Sequence, residues 1–118
     1  MNKALILDHA ENPRRFEPTF APTATGKHNH TSCDDEIKVS VLVEDGIIAD
    51  IGFTGHGCVL CMGCASMLCE IAHRLPLDEA INLSPQHLIV NYATEIDSPR
   101  KRCVTVSLWA LRKALKGL

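Results

Sequence analysis

Residues 37–53 read Ile37-Lys38-Val39-Ser40-Val41-Leu42-Val43-Glu44-Asp45-Gly46-Ile47-Ile48-Ala49-Asp50-Ile51-Gly52-Phe53. Ile37, Val39, Val41 and Val43 alternate with Lys38, Ser40 and Leu42, which places four β-branched residues on one face of a half-buried strand. Asp45-Gly46 is a tight-turn pair, because both residue types tolerate positive φ. Ile47, Ala49, Ile51 and Phe53 then alternate again. The two runs are expected to pair as an antiparallel hairpin with these residues on its buried face. Its open end carries Cys33-Asp34-Asp35 on one side and Gly55-His56-Gly57-Cys58 on the other. Antiparallel register therefore brings Cys33, Asp35 and Cys58 to the same end of the sheet.

Outward from the hairpin, Gly55-His56-Gly57-Cys58-Val59-Leu60-Cys61-Met62-Gly63-Cys64-Ala65-Ser66-Met67-Leu68-Cys69-Glu70 contains most of the six cysteines. A Gly-x-Gly turn leads into small and apolar residues without proline, so a buried helix is expected from Cys58 or Val59 to His73. A cysteine at its start meets free N–H groups and the positive end of the helix dipole, which favour thiolate. Asn2 to Glu11 is expected to be a short helix with Leu5 and Ile6 inward, stopped by Asn12-Pro13. Residues 14–32, rich in proline and threonine, read as an extended mobile loop in which His28 and His30 are solvated. Short helical pieces are expected over Leu77–Leu83 and from Ser84-Pro85 to Asn91. Ser98-Pro99 repeats that device. From Cys103 on, Val104, Leu108, Leu111 and Leu115 fall at helical spacing, with Arg112, Lys113 and Lys116 near the C-terminal end of the dipole.

The chain has 118 residues, 46% hydrophobic and 22% charged, with a formal net charge of −2. This describes one globular domain, 1–118, without the basic excess of a nucleic-acid binder. Its apolar runs fall short of the roughly 20 residues of a membrane span. The opening apolar run is too short for a secretory signal, so a cytoplasmic protein with reduced thiols is expected. Cysteines in that setting point to metal or sulfur chemistry rather than disulfides.

Cys33, Asp35, Cys58 and Cys103 form the first candidate metal set. Three thiolates and a carboxylate suit a tetrahedral site for zinc or iron, and each residue is expected beside an element end. Cys33 in a polar run and Cys103 behind three bases are poor settings for inert core cysteines. The second set is Cys58-x2-Cys61-x2-Cys64, the spacing of the first three ferredoxin ligands, as in an electron carrier. Cys69 would stand about 16 Å along the helix from Cys58, too far to share its site. Cys64 and Cys69 read better as helix-packing residues. Cys61 stays open as an additional thiol at the site, and His56 and Asp34 read as neighbours rather than ligands.

Asp8-His9-Ala10-Glu11-Asn12-Pro13-Arg14 resembles the Asp-His-x-x-Asn-Pro-Arg opening of the U-type iron–sulfur cluster scaffold family (IscU, SufU and the N-terminal module of NifU). Cys33-Asp34-Asp35 resembles its Cys-Gly-Asp, and Phe53-Thr54-Gly55-His56-Gly57-Cys58 its Phe-x-Gly-x-Gly-Cys. Ala65-Ser66-Met67, Arg102-Cys103 and Leu108-Trp109-Ala110-Leu111 continue the match in order. The resemblance implies an α+β fold, a small antiparallel sheet of about three strands with helices packed against it. It implies a scaffold rather than an enzyme: one that accepts sulfur from a cysteine desulfurase, builds a 2Fe-2S cluster on Cys33, Asp35, Cys58 and Cys103, and passes it to apo iron–sulfur proteins. The alternative is the SufU branch, where the same positions hold Zn2+ and the protein is a sulfur acceptor for its desulfurase. Cys103, at an expected helix start, is the candidate persulfide acceptor.

The chain departs from the family pattern at several points. Asp34 replaces a glycine. Arg102 stands where IscU has histidine, which is closer to SufU. Asp97-Ser98-Pro99-Arg100-Lys101 replaces the Leu-Pro-Pro-Val-Lys chaperone motif of IscU, and the SufU insertion before the third cysteine is missing. Cys61 and Cys64 occupy positions where the family usually has serine.

Overall fold

A computed structural model describes residues 3–30 and 34–118. Among them the elements run α1 (Lys3–Glu11), β1 (Ala24–His30), β2 (Asp35–Glu44), β3 (Ile47–His56), α2 (Val59–Ala72), α3 (Leu77–Ala80), α4 (Pro85–Leu88), α5 (Tyr92–Glu95) and α6 (Ser98–Leu115). The three strands form one antiparallel sheet in the order β1-β2-β3. Helix α6 lies across β1 and β2, α2 lies beside it over β3, and α1 packs on α2. The architecture is the expected α+β fold of three strands under helices.

The β2–β3 hairpin forms around Asp45-Gly46, whose φ values of 55° and 72° are those of a type I′ turn. Pairing runs from Glu44↔Ile47 at the turn to Glu36↔His56 at the open end. Ile37, Val39, Val41, Ile51 and Phe53 are buried as expected. Near the turn the alternation fails. Val43 pairs with Ile48 while Leu42 pairs with Asp50, so Ala49 is an extra residue in β3. Such a bulge reverses side-chain parity. Ile48 is accordingly fully buried, and Ile47, expected inward, is exposed.

Residues 24–30, expected within a mobile loop, form the edge strand β1 instead. The stretch Ala-Thr-Gly-Lys-His-Asn-His has no apolar alternation because its inward positions are Gly26 and His30. A Cβ on Gly26 would lie 2.1 Å from the Ala110 carbonyl oxygen and 2.4 Å from the Ala114 nitrogen. Strand and helix therefore meet backbone to backbone, and no large side chain announces the contact. His30 is buried, and His28 is half-buried with its Nδ1 2.9 Å from Lys113 Nζ. Neither is a freely solvated loop histidine. The opposite edge of the sheet is covered by residues 15–17, which exchange hydrogen bonds with Phe53: Phe53 N–H to the Arg15 carbonyl, 3.0 Å, and Glu17 N–H to the Phe53 carbonyl, 3.0 Å.

Helix α1 turns Ile6 and His9 inward, not Leu5, which is exposed. Ile6 meets α2 at Gly63, where a Cβ would stand 2.6 Å from the Ile6 carbonyl oxygen. One turn on, His9 Nδ1 lies 2.8 Å from Ser66 Oγ, and Ser66 Oγ accepts the Arg14 N–H at 2.9 Å. Arg14 returns to Asp8 at 2.6 Å, and Asn12 Nδ2 donates to Asp8 at 3.3 Å. The Asp8-His9…Asn12-Pro13-Arg14 motif thus clamps α1 and the following turn onto α2. The Arg14 guanidinium holds the Asp8 carboxyl below its usual range, and burial holds His9 toward its neutral form. Helix α2 is buried along nearly its whole length between the sheet, α1 and α6. The short helices are trimmed relative to expectation, with α3 ending at Ala80 and α4 at Leu88.

Gly26→Ala is expected to cost about 1–3 kcal/mol, because strand and helix backbones must separate. Gly117→Ala, with no atom within 4 Å, should be neutral, and urea titration of the two variants compares them. Ser66→Ala strands the Arg14 N–H and the His9 ring, an expected loss of about 1–3 kcal/mol. Because the folded pKa of His9 is lowered, the unfolded chain takes up the proton first. Stability should therefore fall as pH drops below the ordinary histidine value of 6.5, and less so in a His9→Asn variant measured across the same pH range.

Candidate metal centre

Three donors from three elements meet at the open end of the hairpin. Asp35 is the first residue of β2, Cys58 is the N-cap of α2, and Cys103 lies on α6. One oxygen of Asp35 and the sulfurs of Cys58 and Cys103 all lie within 4.8 Å of one another. They are far apart in sequence, so only the fold brings them together. Cys33, the remaining member of the candidate set, lies outside the described residues.

The geometry follows from local backbone chemistry. Gly55, at φ 144°, passes so close to β2 that a Cβ would meet the Glu36 carbonyl oxygen at 2.0 Å. Gly57 is open for a second reason: a Cβ there would lie 2.8 Å from Asp35 Oδ1 and 2.9 Å from Cys61 Sγ. The two glycines let the chain turn tightly over the carboxylate. The Cys58 N–H then donates to Asp35 Oδ1 at 3.1 Å, with Cys58 Sγ 3.9 Å from Oδ2. As N-cap, Cys58 Sγ also accepts the Cys61 N–H at 3.4 Å. The Cys58 sulfur therefore sits over the free N–H groups of the helix terminus. Asp34 precedes the site at φ 56°. This left-handed conformation explains a glycine in the related pattern, and aspartate is among the few other residues that tolerate it.

The donor set fits a soft cation. Asp35 is 1% exposed, and no lysine or arginine forms an ion pair with it among the described residues. Cys103 is 6% exposed, and burial together with the neighbouring Cys58 and Asp35 pushes its thiol well up. A thiol so placed is disfavoured as thiolate, and a bound cation would remove that penalty for Cys103. Two thiolates with a carboxylate favour zinc or iron over calcium or magnesium.

One expectation for Cys103 does not hold. Helix α6 begins at Ser98, with Asp97 as N-cap and Pro99 in its first turn. Cys103 is in the second turn, where the dipole no longer acts on it strongly. The Ser98-Pro99 signal did mark a helix opening; residues 98–102 are mostly charged and exposed, so the apolar spacing that starts at Cys103 belongs to the same helix rather than to a new one.

Cys61 lies directly behind the site, fully buried. Its thiol is pushed up by burial and by Asp35, Cys58 and Cys103. It does not belong to the three-donor group. Cys64, pushed up to about 12 by burial, and Cys69 are enclosed in the helix packing as expected. His56 is exposed, lies 3.9 Å from Asp34 and does not belong to the three-donor group. His30, which the sequence placed in solvent, stands opposite Asp35 in the β1–β2 ladder.

The result is a small α+β domain, a three-stranded sheet covered by helices, with two thiols and a carboxylate that could hold a metal ion meeting at the mouth of its hairpin. Residues 1–117 match the model of the NifU-like N terminal domain, and the chain belongs to that family. It is 28% identical over 118 residues to iron sulfur cluster assembly protein 2, mitochondrial, of Saccharomyces cerevisiae, spanning 94% of this chain and 73% of that one. It is 32% identical over 98 residues to the IscU scaffold protein of Buchnera aphidicola, spanning 80% and 75%. To the zinc-dependent sulfurtransferase SufU of Bacillus subtilis it is 27% identical over 82 residues, spanning 70% and 55%. The fold is shared with a putative SUF-system scaffold from Fervidobacterium islandicum, at a TM-score of 0.82 and 19% identity over 94% of this chain and 93% of that one.

Cobalt(II), as an optical probe for a thiolate site, should give sulfur-to-metal charge-transfer bands with the native chain. Cys58→Ala, Cys103→Ala and Asp35→Ala should each weaken binding by more than the roughly 10- to 100-fold typical of losing an outer-shell partner. Gly57→Ala, which leaves every donor in place but crowds Asp35 and Cys61, should weaken it too.

Proposed function

We propose that this chain is an iron–sulfur cluster assembly scaffold. It takes sulfur from a cysteine desulfurase, assembles a 2Fe-2S cluster on Cys33, Asp35, Cys58 and Cys103, and releases it to apo iron–sulfur proteins. The observation that carries the reading is the convergence of Asp35, Cys58 and Cys103 within 4.8 Å. Family membership supports it, as do relatives named as assembly proteins and scaffolds. Cys33, two residues before Asp35 in sequence, is the proposed fourth ligand. Iron and sulfide are cargo here. A hard carboxylate in a sulfur-rich set is the readily exchanged ligand, which suits a cluster that must leave.

The sequence places incoming sulfur on Cys103 at a helix start. With α6 beginning at Ser98 and Cys103 buried, that reason weakens. Cys58 is exposed at a helix N-terminus, so we place the first sulfur on Cys58 and keep Cys103 as ligand and secondary acceptor. A zinc-bound sulfur acceptor is the second reading. It is favoured by the relative named a zinc-dependent sulfurtransferase and by Arg102 ahead of Cys103.

Anaerobic incubation with ferrous iron, cysteine and a cysteine desulfurase should produce the visible charge-transfer spectrum of a cluster. Serine at Cys33, Cys58 or Cys103 should separately abolish it. Normal loading of all three variants would remove the scaffold assignment. Tight zinc with sulfur uptake and no iron–sulfur spectrum would select the second reading.

A further inference from the structure

Cys58-Val59-Leu60-Cys61 places two thiols three residues apart, one at the N-cap and one on the first turn of α2. One is exposed and the other fully buried. The buried partner sits against the site rather than in remote core: Gly57 has no room for a Cβ because Cys61 Sγ and Asp35 Oδ1 fill that space. The Cys61 amide already donates to Cys58 Sγ at 3.4 Å, so the exposed sulfur leans over the turn that carries Cys61. Helical neighbours at this spacing hold their Cβ atoms about 5–6 Å apart. A disulfide needs about 3.5–4.5 Å. Cys58 has extended dihedrals, φ −68° and ψ 168°, and lies just outside the helix, so its own rotation can close the gap without breaking α2.

Sulfur arriving as a persulfide carries its outer atom too oxidised to serve as cluster sulfide. It must be reduced before it can bridge iron. We propose that Cys61 is the internal reductant for this step, a resolving thiol that liberates sulfide from a persulfide on Cys58. This rests on the sulfur-accepting reading above. Cys61 Sγ attacks the inner sulfur of Cys58–S–SH, the persulfide S–S bond breaks, and a Cys58–Cys61 S–S bond forms. The outer sulfur leaves with the bonding pair and takes up the Cys61 proton, so Cys58–S–SH and Cys61–SH give the disulfide and hydrogen sulfide. Cys61 is oxidised and the departing sulfur reduced. Attack at this atom expels hydrosulfide, a better leaving group than an alkyl thiolate. Burial shields Cys61 from external persulfides, while its place on the turn exposes it to the one formed on Cys58. The product disulfide removes Cys58 from the donor set until a soluble dithiol reduces it. Sulfide release and cluster binding by Cys58 are therefore successive states of the same sulfur.

A single turnover with a cysteine desulfurase and cysteine, without added thiol or iron, tests this. The native chain should release one hydrosulfide per chain and end two hydrogens lighter, with peptide mapping joining Cys58 to Cys61. Cys61→Ala should instead retain the sulfur on Cys58, one sulfur atom heavier, with sulfide release lost. Cys64→Ala, a turn deeper in the helix packing, should behave as the native chain. A native chain that keeps its extra sulfur, or equal sulfide release by Cys61→Ala, overturns the proposal. Peptide mapping of the native chain alone decides the matter if Cys61→Ala fails to fold. Sulfur gained by neither chain overturns the sulfur-accepting reading, and this step with it.

Discussion

Asp35 governs the site. Its carboxylate is almost fully buried at the start of β2, and the amide of Cys58 donates to it. That bond does three things together. It satisfies part of a buried charge, fixes where β3 ends and α2 begins, and sets the Cys58 sulfur beside the carboxylate. Its geometry requires that nothing stand between strand and helix, which is the role of Gly57. The donor group is thus a consequence of how a strand start and a helix start are joined, with Cys103 delivered from the third side by α6.

The same economy appears wherever elements meet. Gly26 lets β1 touch α6, and Gly63 lets α1 touch α2, each through main-chain atoms. Polar clamps rather than bulky side chains lock these contacts. Ser66 joins His9 to the turn at Arg14, and Lys113 reaches from α6 to the Lys27 carbonyl at 3.1 Å. With few aromatics available, the core relies on Ile, Val, Leu and Ala brought close together by glycine, and backbone proximity replaces side-chain volume. The motifs that carry the family resemblance are, at Asp8–Arg14 and Ser66, largely of this architectural kind. They join α1 and the turn after it to α2, the helix that Cys58 caps.

On the proposed reading, soft donors in a buried corner hold something that must later leave: the two thiols would supply affinity, and the carboxylate a weak point for exchange. In the role proposed for Cys61, a buried thiol one helical turn from an exposed one gives electrons without being a ligand. The proposed ligand set and the proposed dithiol share Cys58, which would couple the two through a single atom.

Residue pattern was enough to establish the hairpin, its Asp45-Gly46 turn, the helix after Gly57 and the meeting of Asp35 with Cys58. Each follows from local periodicity or turn chemistry, and antiparallel register then fixes which ends coincide. Pattern also marked Cys103 as unusual, through its basic surroundings. Strand β1 needed the packed molecule, because a strand whose inward residues are Gly26 and His30 has no apolar signature. So did the bulge at Ala49, which exchanged Ile47 for Ile48, and the joining of the Ser98-Pro99 opening to the apolar spacing from Cys103 in one helix, which puts Cys103 in the second turn. The placing of Cys61 against the site was equally beyond reach of local pattern. Whether a helical cysteine faces a core or a carboxylate depends on what packs across from it, and that partner lies 26 residues earlier in the chain.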